Sequence, residues 1–168
     1  MIPSIDIAQI IQVAGHVLVM ACLICASKQD IKTRKVSNII PVTIVLIFAL
    51  TCVATWFLSR KSISTTDIFS QVAFAVGMLI VLLVVTVGIE KIMGKDMFGG
   101  GDIKLVCAAC LFLNIETLPI AVLTTSILEL CYALFKRAKG QQFSEITYPF
   151  APFWTIGIFV AFAFKLLV

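Results

Sequence analysis

The chain has 168 residues, a formal net charge of +4, 61% hydrophobic and 13% charged residues, and a mean hydropathy of +1.11. Soluble domains average about 45–50% apolar and about 25% charged residues, so a water-soluble globular domain is excluded. An all-α integral membrane protein is expected, with residues 1–168 forming a single membrane-embedded domain. The Lys and Arg residues cluster between apolar runs, which is a topology signal and not a nucleic-acid footprint. The expected partners are therefore the lipid bilayer and membrane-embedded proteins, with no nucleic acid among them.

A spanning helix needs about 20 apolar residues. Ile7 to Ala26 supplies the first run, with His16 inside it as a packed polar residue. Ser27 to Asn38 is polar and basic, and Ile39 to Leu58 is the second run, with Pro41 near its start, where proline is tolerated. A short link with Arg60 and Lys61 leads to the third run, Ile68 to Ile92. Gly94 to Gly101 reads as a loop. Asp102 to Leu113 is apolar but shorter than a span, and Asn114 to Glu116 interrupt it. Leu118 to Phe135 is the fifth run and Pro149 to Val168 the sixth, separated by a basic loop. The reading is a bundle of six transmembrane helices with a short fourth helix. Ten Lys and Arg border the loops after runs one, three and five, and three (Arg60, Lys61 and Lys165) lie opposite. Positive charge stays on the cytoplasmic side, so both termini are expected outside, in an N-out/C-out arrangement.

Six cysteines all fall inside apolar runs, two pairs with C-x-x-C spacing: Cys22/Cys25 and Cys107/Cys110. Zinc needs such pairs to converge in a polar, accessible loop. Here they read as small packing residues, and no metal is expected. Trp56 and Trp154 read as aromatic-belt residues near opposite interfaces.

Two acids stand out. Asp102 follows Gly99, Gly100 and Gly101, and Asp30 lies 72 positions earlier, each opening the string Asp-Ile-Lys. The topology puts both at the cytoplasmic boundary, where a bundle can bring them face to face. A carboxylate at the edge of lipid is expensive and asks for a function. Two neighbouring carboxylates cannot both ionise easily, so one keeps a proton and the pair titrates jointly. Such a pair can hydrolyse a peptide bond with no cofactor: the anion activates water and the acid polarises the carbonyl. The glycines let a substrate backbone approach and let a helix begin abruptly at Asp102. Lys32 and Lys104 are expected to anchor helices to lipid phosphates or to lower the pKa of the neighbouring acid. Asn38 is expected to cap the second helix in preference to holding the Asp30 loop. Glu129, inside the fifth run, is expected to line a cavity or bind a basic peptide, or else to bond between helices.

The stretch Asp30 to Asn38 resembles the first signature of type IV prepilin leader peptidases: an aspartate, a basic residue two positions on, then an aliphatic residue, Ser and Asn. Phe98 to Leu105 is similar to that family's second signature around Gly-x-Gly-Asp, and Tyr148 to Phe153 to the start of its last helix. The resemblance implies an aspartic endopeptidase of the inner (cytoplasmic) membrane, with Asp30 and Asp102 catalytic. Its substrate would be a prepilin or pseudopilin carrying a short basic leader, cut at the cytoplasmic boundary. The cysteine-bearing insert of larger members is missing between the first two runs, which puts N-methylation in doubt and makes the chain more like the short Tad/Flp or archaeal forms. The alternatives are a small ion- or proton-coupled transporter, a non-catalytic secretion-assembly subunit, and a presenilin-like Gly-x-Gly-Asp protease. The last lacks the Asp30 to Asn38 signature.

Overall fold

In a computed structural model, which describes residues 7–58, 65–93, 99–140 and 149–167, the chain forms six α-helices. They are α1 (Ile7–Thr33), α2 (Ile39–Leu58), α3 (Thr65–Met93), α4 (Gly100–Cys110), α5 (Leu118–Ala138) and α6 (Phe150–Leu167), with no strand among the described residues. Arg60, Lys61, Phe98 and Tyr148, and most of the glycine-containing loop before α4, lie outside the described residues.

Four helices (α1, α2, α3 and α5) are long and apolar enough to cross a membrane. Their outer faces carry exposed large hydrophobic residues such as Leu46, Val84 and Leu123. That pattern suits lipid and not water, so the chain is a multi-pass membrane protein. α4 has 11 residues. At 1.5 Å per residue it reaches about 16 Å, half of a hydrocarbon core of about 30 Å. It does not lie on the surface: Leu105, Val106, Ala108, Ala109 and Cys110 are all buried. α4 packs on α2, α3 and α6, while α1 packs between α2 and α6. The core is formed by Val19, Leu23, Ile44, Phe48, Trp154 and Ile158 around it.

The helix ends follow local chemistry. α1 runs to Thr33, seven residues beyond the apolar run that ends at Ala26. Hydropathy marks the lipid slab, whereas Lys28, Gln29 and Lys32 are good helix formers that continue the helix into water. The helix stops at Arg34, which takes φ 55°. Its amide donates to the Asp30 carbonyl at 2.9 Å, the left-handed stop usually made by glycine. Between α4 and α5, Asn114 and Thr117 cap each other. The Thr117 amide donates to Asn114 Oδ1 at 2.9 Å and the Asn114 amide to Thr117 Oγ1 at 3.0 Å. This reciprocal pairing lets the chain turn inside the bundle with its amides satisfied. Gly140, at φ 90°, closes α5, its amide donating to the Arg137 carbonyl.

Two expectations change. Trp154 is 3% exposed and stacks on Phe150 inside the core; its apolar bulk is drawn to the interior, and only Trp56 occupies a belt-like exposed position. Gly100 and Gly101 form the first turn of α4 and not a loop. The cysteines all sit in helices as free thiols, with Cys110 fully buried and Cys25 and Cys131 on outer faces.

Close helix crossings depend on missing side chains. A Cβ at Gly157 in α6 would lie 2.5 Å from the Ala121 carbonyl oxygen and would collide with Thr125 Oγ1 of α5. Gly157→Ala is expected to cost about 1–3 kcal/mol, read as a lower unfolding midpoint in detergent. Gly77→Ala on α3 meets nothing within 4 Å and is expected to leave the midpoint unchanged or slightly raised.

Candidate active site

Asp30 occupies the last two turns of α1, one turn before the Arg34 stop. It is 5% exposed. A buried carboxylate needs partners, and one comes from across the bundle: the Ala151 backbone amide donates to Asp30 Oδ2 at 3.0 Å. Ala151 is in the first turn of α6, whose amides have no partner within the helix. The N-terminal end of a helix dipole suits an anion. Pro149 stands before this turn and Pro152, which lacks an N–H, within it.

A polar seam between α1 and α6 holds that register. Ser27 Oγ and Thr155 Oγ1 are 2.8 Å apart, and Thr155 also donates to the Leu23 and Ala151 carbonyls. Ser27 and Thr155 therefore sit one turn along α1 and α6 from the Asp30–Ala151 contact, and the hydroxyl pair fixes which turn of α6 meets the acid.

Asp102 is placed by the start of α4. Gly99 is its N-cap, with φ −67° and ψ 139°, and the Asp102 amide donates to the Gly99 carbonyl at 2.9 Å. The carboxylate folds back over Gly99, where a Cβ would approach Asp102 Oδ2 to 3.2 Å. Gly101 has a different role. A Cβ there would stand 3.0 Å from the Val36 carbonyl oxygen and 3.4 Å from the Val36 Cβ. α4 thus begins in close contact with the turn between α1 and α2. Gly100 faces open space. A second link reinforces this contact: Lys104 Nζ donates to Asn38 Oδ1 at 3.0 Å. Asn38 is thereby tied to α4, contrary to the expectation that it caps α2. The α2 end is served by Ser37, whose Oγ and carbonyl accept from the Ile39 and Ile40 amides. Gln29 Oε1 accepts from the Ser37 amide at 3.2 Å, bracing the turn from the α1 side.

The two acids are within electrostatic reach of each other. Burial, followed by the negative charge of Asp30, pushes Asp102 up from 3.8 to about 6, against a smaller opposing effect of the Gly99 backbone. A half-buried Asp102 thus keeps its proton into the range where an ordinary aspartate is ionised, beside an Asp30 that faces a helix N-terminus.

Of the residues singled out in the sequence, Asp30, Asn38, Gly99, Gly101, Asp102 and Lys104 gather at one end of the bundle around the α1–α2 turn. Lys32 is exposed on the last turn of α1, where a cation suits the C-terminal end of the helix dipole. Glu129 lies apart, lining a cavity between α3, α4, α5 and α6. His16 packs edge-on against Phe112 and Phe162, with Nδ1 2.6 Å from the Gln12 carbonyl. Three contributors were hidden in the sequence: the Ala151 amide, the Val36 carbonyl and the Ser27–Thr155 pair. The prolines at 149 and 152 announced the start of a helix with free amides, but only the fold shows which anion meets them. Among the described residues no group of His, Cys, Asp and Glu is arranged to hold a metal ion.

Comparison with known proteins places the chain in a family. The chain is similar to the prepilin leader peptidase/N-methyltransferase of Haemophilus influenzae, with 36% identity over 72 residues, 43% of this chain and 29% of that relative. The match therefore spans less than a third of the relative's length. No solved structure matches the chain. The type IV leader peptidase family matches residues 17–134, a segment that contains both aspartates, the glycines, Asn38 and Glu129 but stops short of α6. Over more than two thirds of its length the sequence fits that family, and the chain belongs to the type IV leader peptidase family.

Proposed function

We propose that the protein is an aspartic endopeptidase that removes the short basic leader of type IV prepilins or pseudopilins. The observation that carries this reading is the pairing of Asp30 with Asp102. They lie 72 positions apart in sequence, yet Asp30 lies near the end of α1 and Asp102 begins α4 on either side of one turn, which α4 meets through Gly101 at Val36 and Lys104 at Asn38, and the Asp30 charge reaches Asp102. Asp30, facing the amides of α6, is the base that takes a proton from water. Asp102, the member that holds its proton, donates a hydrogen bond to the scissile carbonyl and stabilises the charge that develops on its oxygen. Collapse of the tetrahedral intermediate returns a proton to the leaving amine. The pair begins and ends the cycle sharing one proton, so its titration belongs to both residues. The chain's own carboxylates and water account for every proton in the scheme, and no cofactor is assigned.

Six membrane-inserted helices with both termini outside are part of the proposal, with α4 inserted but not spanning. Lys28, Lys32, Arg34, Lys35, Lys104, Lys136, Arg137 and Lys139 lie at or beyond the Asp30 end of the bundle, which makes that end cytoplasmic. The site then sits at the cytoplasmic boundary of the inner membrane, level with the start of a substrate's apolar segment. The turn between α1 and α2 is five residues long and contains no cysteine. Cleavage without N-methylation is the activity assigned, with a prepilin as protein partner.

Asp30→Asn and Asp102→Asn are each expected to slow leader removal about 1,000-fold or more, followed by the mass of a co-expressed prepilin. Normal processing by either variant refutes the dyad. The same masses report whether the new N-terminus gains a methyl group, which is expected not to occur.

Active enzyme needs the proton on Asp102. For the free enzyme kcat/KM is expected to fall as pH rises through about 6, the alkaline limb of the pair. Asp30→Asn removes the neighbouring charge, so the Asp102 carboxyl is expected to titrate lower than in the parent, measured by infrared difference spectroscopy.

Gly101→Ala, forced against the Val36 carbonyl, is expected to lower kcat/KM at least about 10-fold by displacing Asp102. Gly100→Ala, with open space around it, is expected to stay within about 3-fold of the parent in the same assay.

A further inference from the structure

Four buried polar atoms among the described residues lack a hydrogen-bond partner: His16 Nε2, Thr86 Oγ1, Glu129 Oε1 and Trp154 Nε1. His16 belongs to a separate cavity at the far end of the bundle. Two of the other three share a cavity. Glu129 and Trp154 line one cavity of about 160 Å³, together with Met78, Leu82, Ile103 and Phe150. Thr86 follows Met78 and Leu82 at four-residue spacing on the same face of α3.

The cavity lies in a cleft. α3 packs on α4, and α5 packs on α6, but among the described residues no substantial packing joins α3 to α5. The floor of the cleft is therefore α4 and α6. Those are the helices whose first turns carry Asp102 and the Ala151 amide that meets Asp30. The depth of Glu129 follows from a nearby contact. Thr125 Oγ1 donates to the Phe153 carbonyl at 3.3 Å. One turn further along antiparallel α5 and α6 sets Glu129 level with Phe150, at the depth of the first turn of α6 that meets Asp30.

We propose that the cleft between α3 and α5 receives the apolar helix of the substrate from the bilayer, and that Glu129 accepts hydrogen bonds from the backbone N–H groups of that helix's first turn. This rests on the leader-peptidase reading above. A helix that begins just after the scissile bond brings four N–H groups without internal partners, and the positive end of its dipole, into a low-dielectric site. Lipid offers them nothing. A carboxylate with a free oxygen, at the depth of the dyad and walled by apolar side chains, is the complementary group. A basic leader is a poorer occupant, because its charged groups stay hydrated among the polar loops and not inside this apolar lining. Seating the helix here also sets the register of the cut: the peptide bond just before the first turn falls against Asp30 and Asp102.

The test uses the full chain in lipid nanodiscs, with the leader and first apolar helix of a type IV prepilin as the probe. In an Asp102→Asn background, a photo-reactive amino acid is placed at Leu82 or Ser126 in the cleft, or at Leu46 on the exposed face of α2. The probe is expected to crosslink from Leu82 and Ser126 at least 10-fold more than from Leu46. Equal crosslinking from all three, or crosslinks only to lipid or to a second copy of the chain, overturns the proposal.

With the dyad intact, Glu129→Leu is expected to raise KM at least 10-fold and Glu129→Gln, which keeps an acceptor, about 3-fold, with kcat within 3-fold of the parent. A probe bearing Asp at the N-cap of its own helix is expected to restore most of the KM lost by Glu129→Leu. An unchanged KM, or no restoration by the capped probe, overturns the role of Glu129. Cleavage without crosslinks from the cleft refutes the docking alone, whereas a parent chain that leaves the leader uncut refutes the leader-peptidase reading itself.

Discussion

The structure depends on how one buried carboxylate is compensated. Asp30 sits near the end of a membrane helix with almost no access to water. In so apolar a chain, an unmet carboxylate there costs several kcal/mol. The compensation is the amide of Ala151 at the start of α6, and it requires the last helix of the chain to cross the first in one register. The Ser27–Thr155 hydroxyl pair, one turn deeper, supplies that register. In the proposed dyad the same contact is useful, because a carboxylate held by a fixed amide is oriented before any substrate arrives.

The second acid is delivered differently. Among the described residues, no amide of a distant helix meets Asp102. It rides on the first turn of a helix too short to span the membrane, pressed against the turn that follows Asp30. Gly101 permits the approach and the Lys104–Asn38 hydrogen bond secures it. The α1–α2 turn therefore links the helix that carries Asp30 to the helix that carries Asp102, and a basic stretch and a glycine run far apart in sequence come to one end of the bundle. Burial and the Asp30 charge raise Asp102 to about 6, so it keeps its proton to a higher pH than an ordinary aspartate. An asymmetric pair results from two aspartates of identical chemistry.

Much of this was legible beforehand. Long apolar runs gave the spanning helices, because lipid exposure leaves little freedom in composition, and the α2 limits coincide with its apolar run. The acids were legible because charge is so rare here. What escaped depends on partners distant in the chain. The length of α1 beyond Ala26 escaped because hydropathy reports lipid contact, while Lys28 and Gln29 extend a helix without being apolar. Trp154 read as an interface residue, since an indole suits both belt and core and only packing against Phe150 decides. Asn38 read as a cap from its position before a helix, whereas its carbonyl oxygen is taken by Lys104, 66 residues away. The backbone amide of Ala151 carries no side-chain signature at all.

Asp30 and Asp102 are proposed to act as one unit, and a double-mutant cycle separates that from independent action. Leader-cleavage rates would be measured for the parent, Asp30→Asn, Asp102→Asn and the double variant under single-turnover conditions. If the pair is a unit, the double variant is no slower than the slower single variant, because removing either acid already abolishes the shared-proton mechanism. If the two losses multiply, the carboxylates contribute independently and the account of the site is wrong.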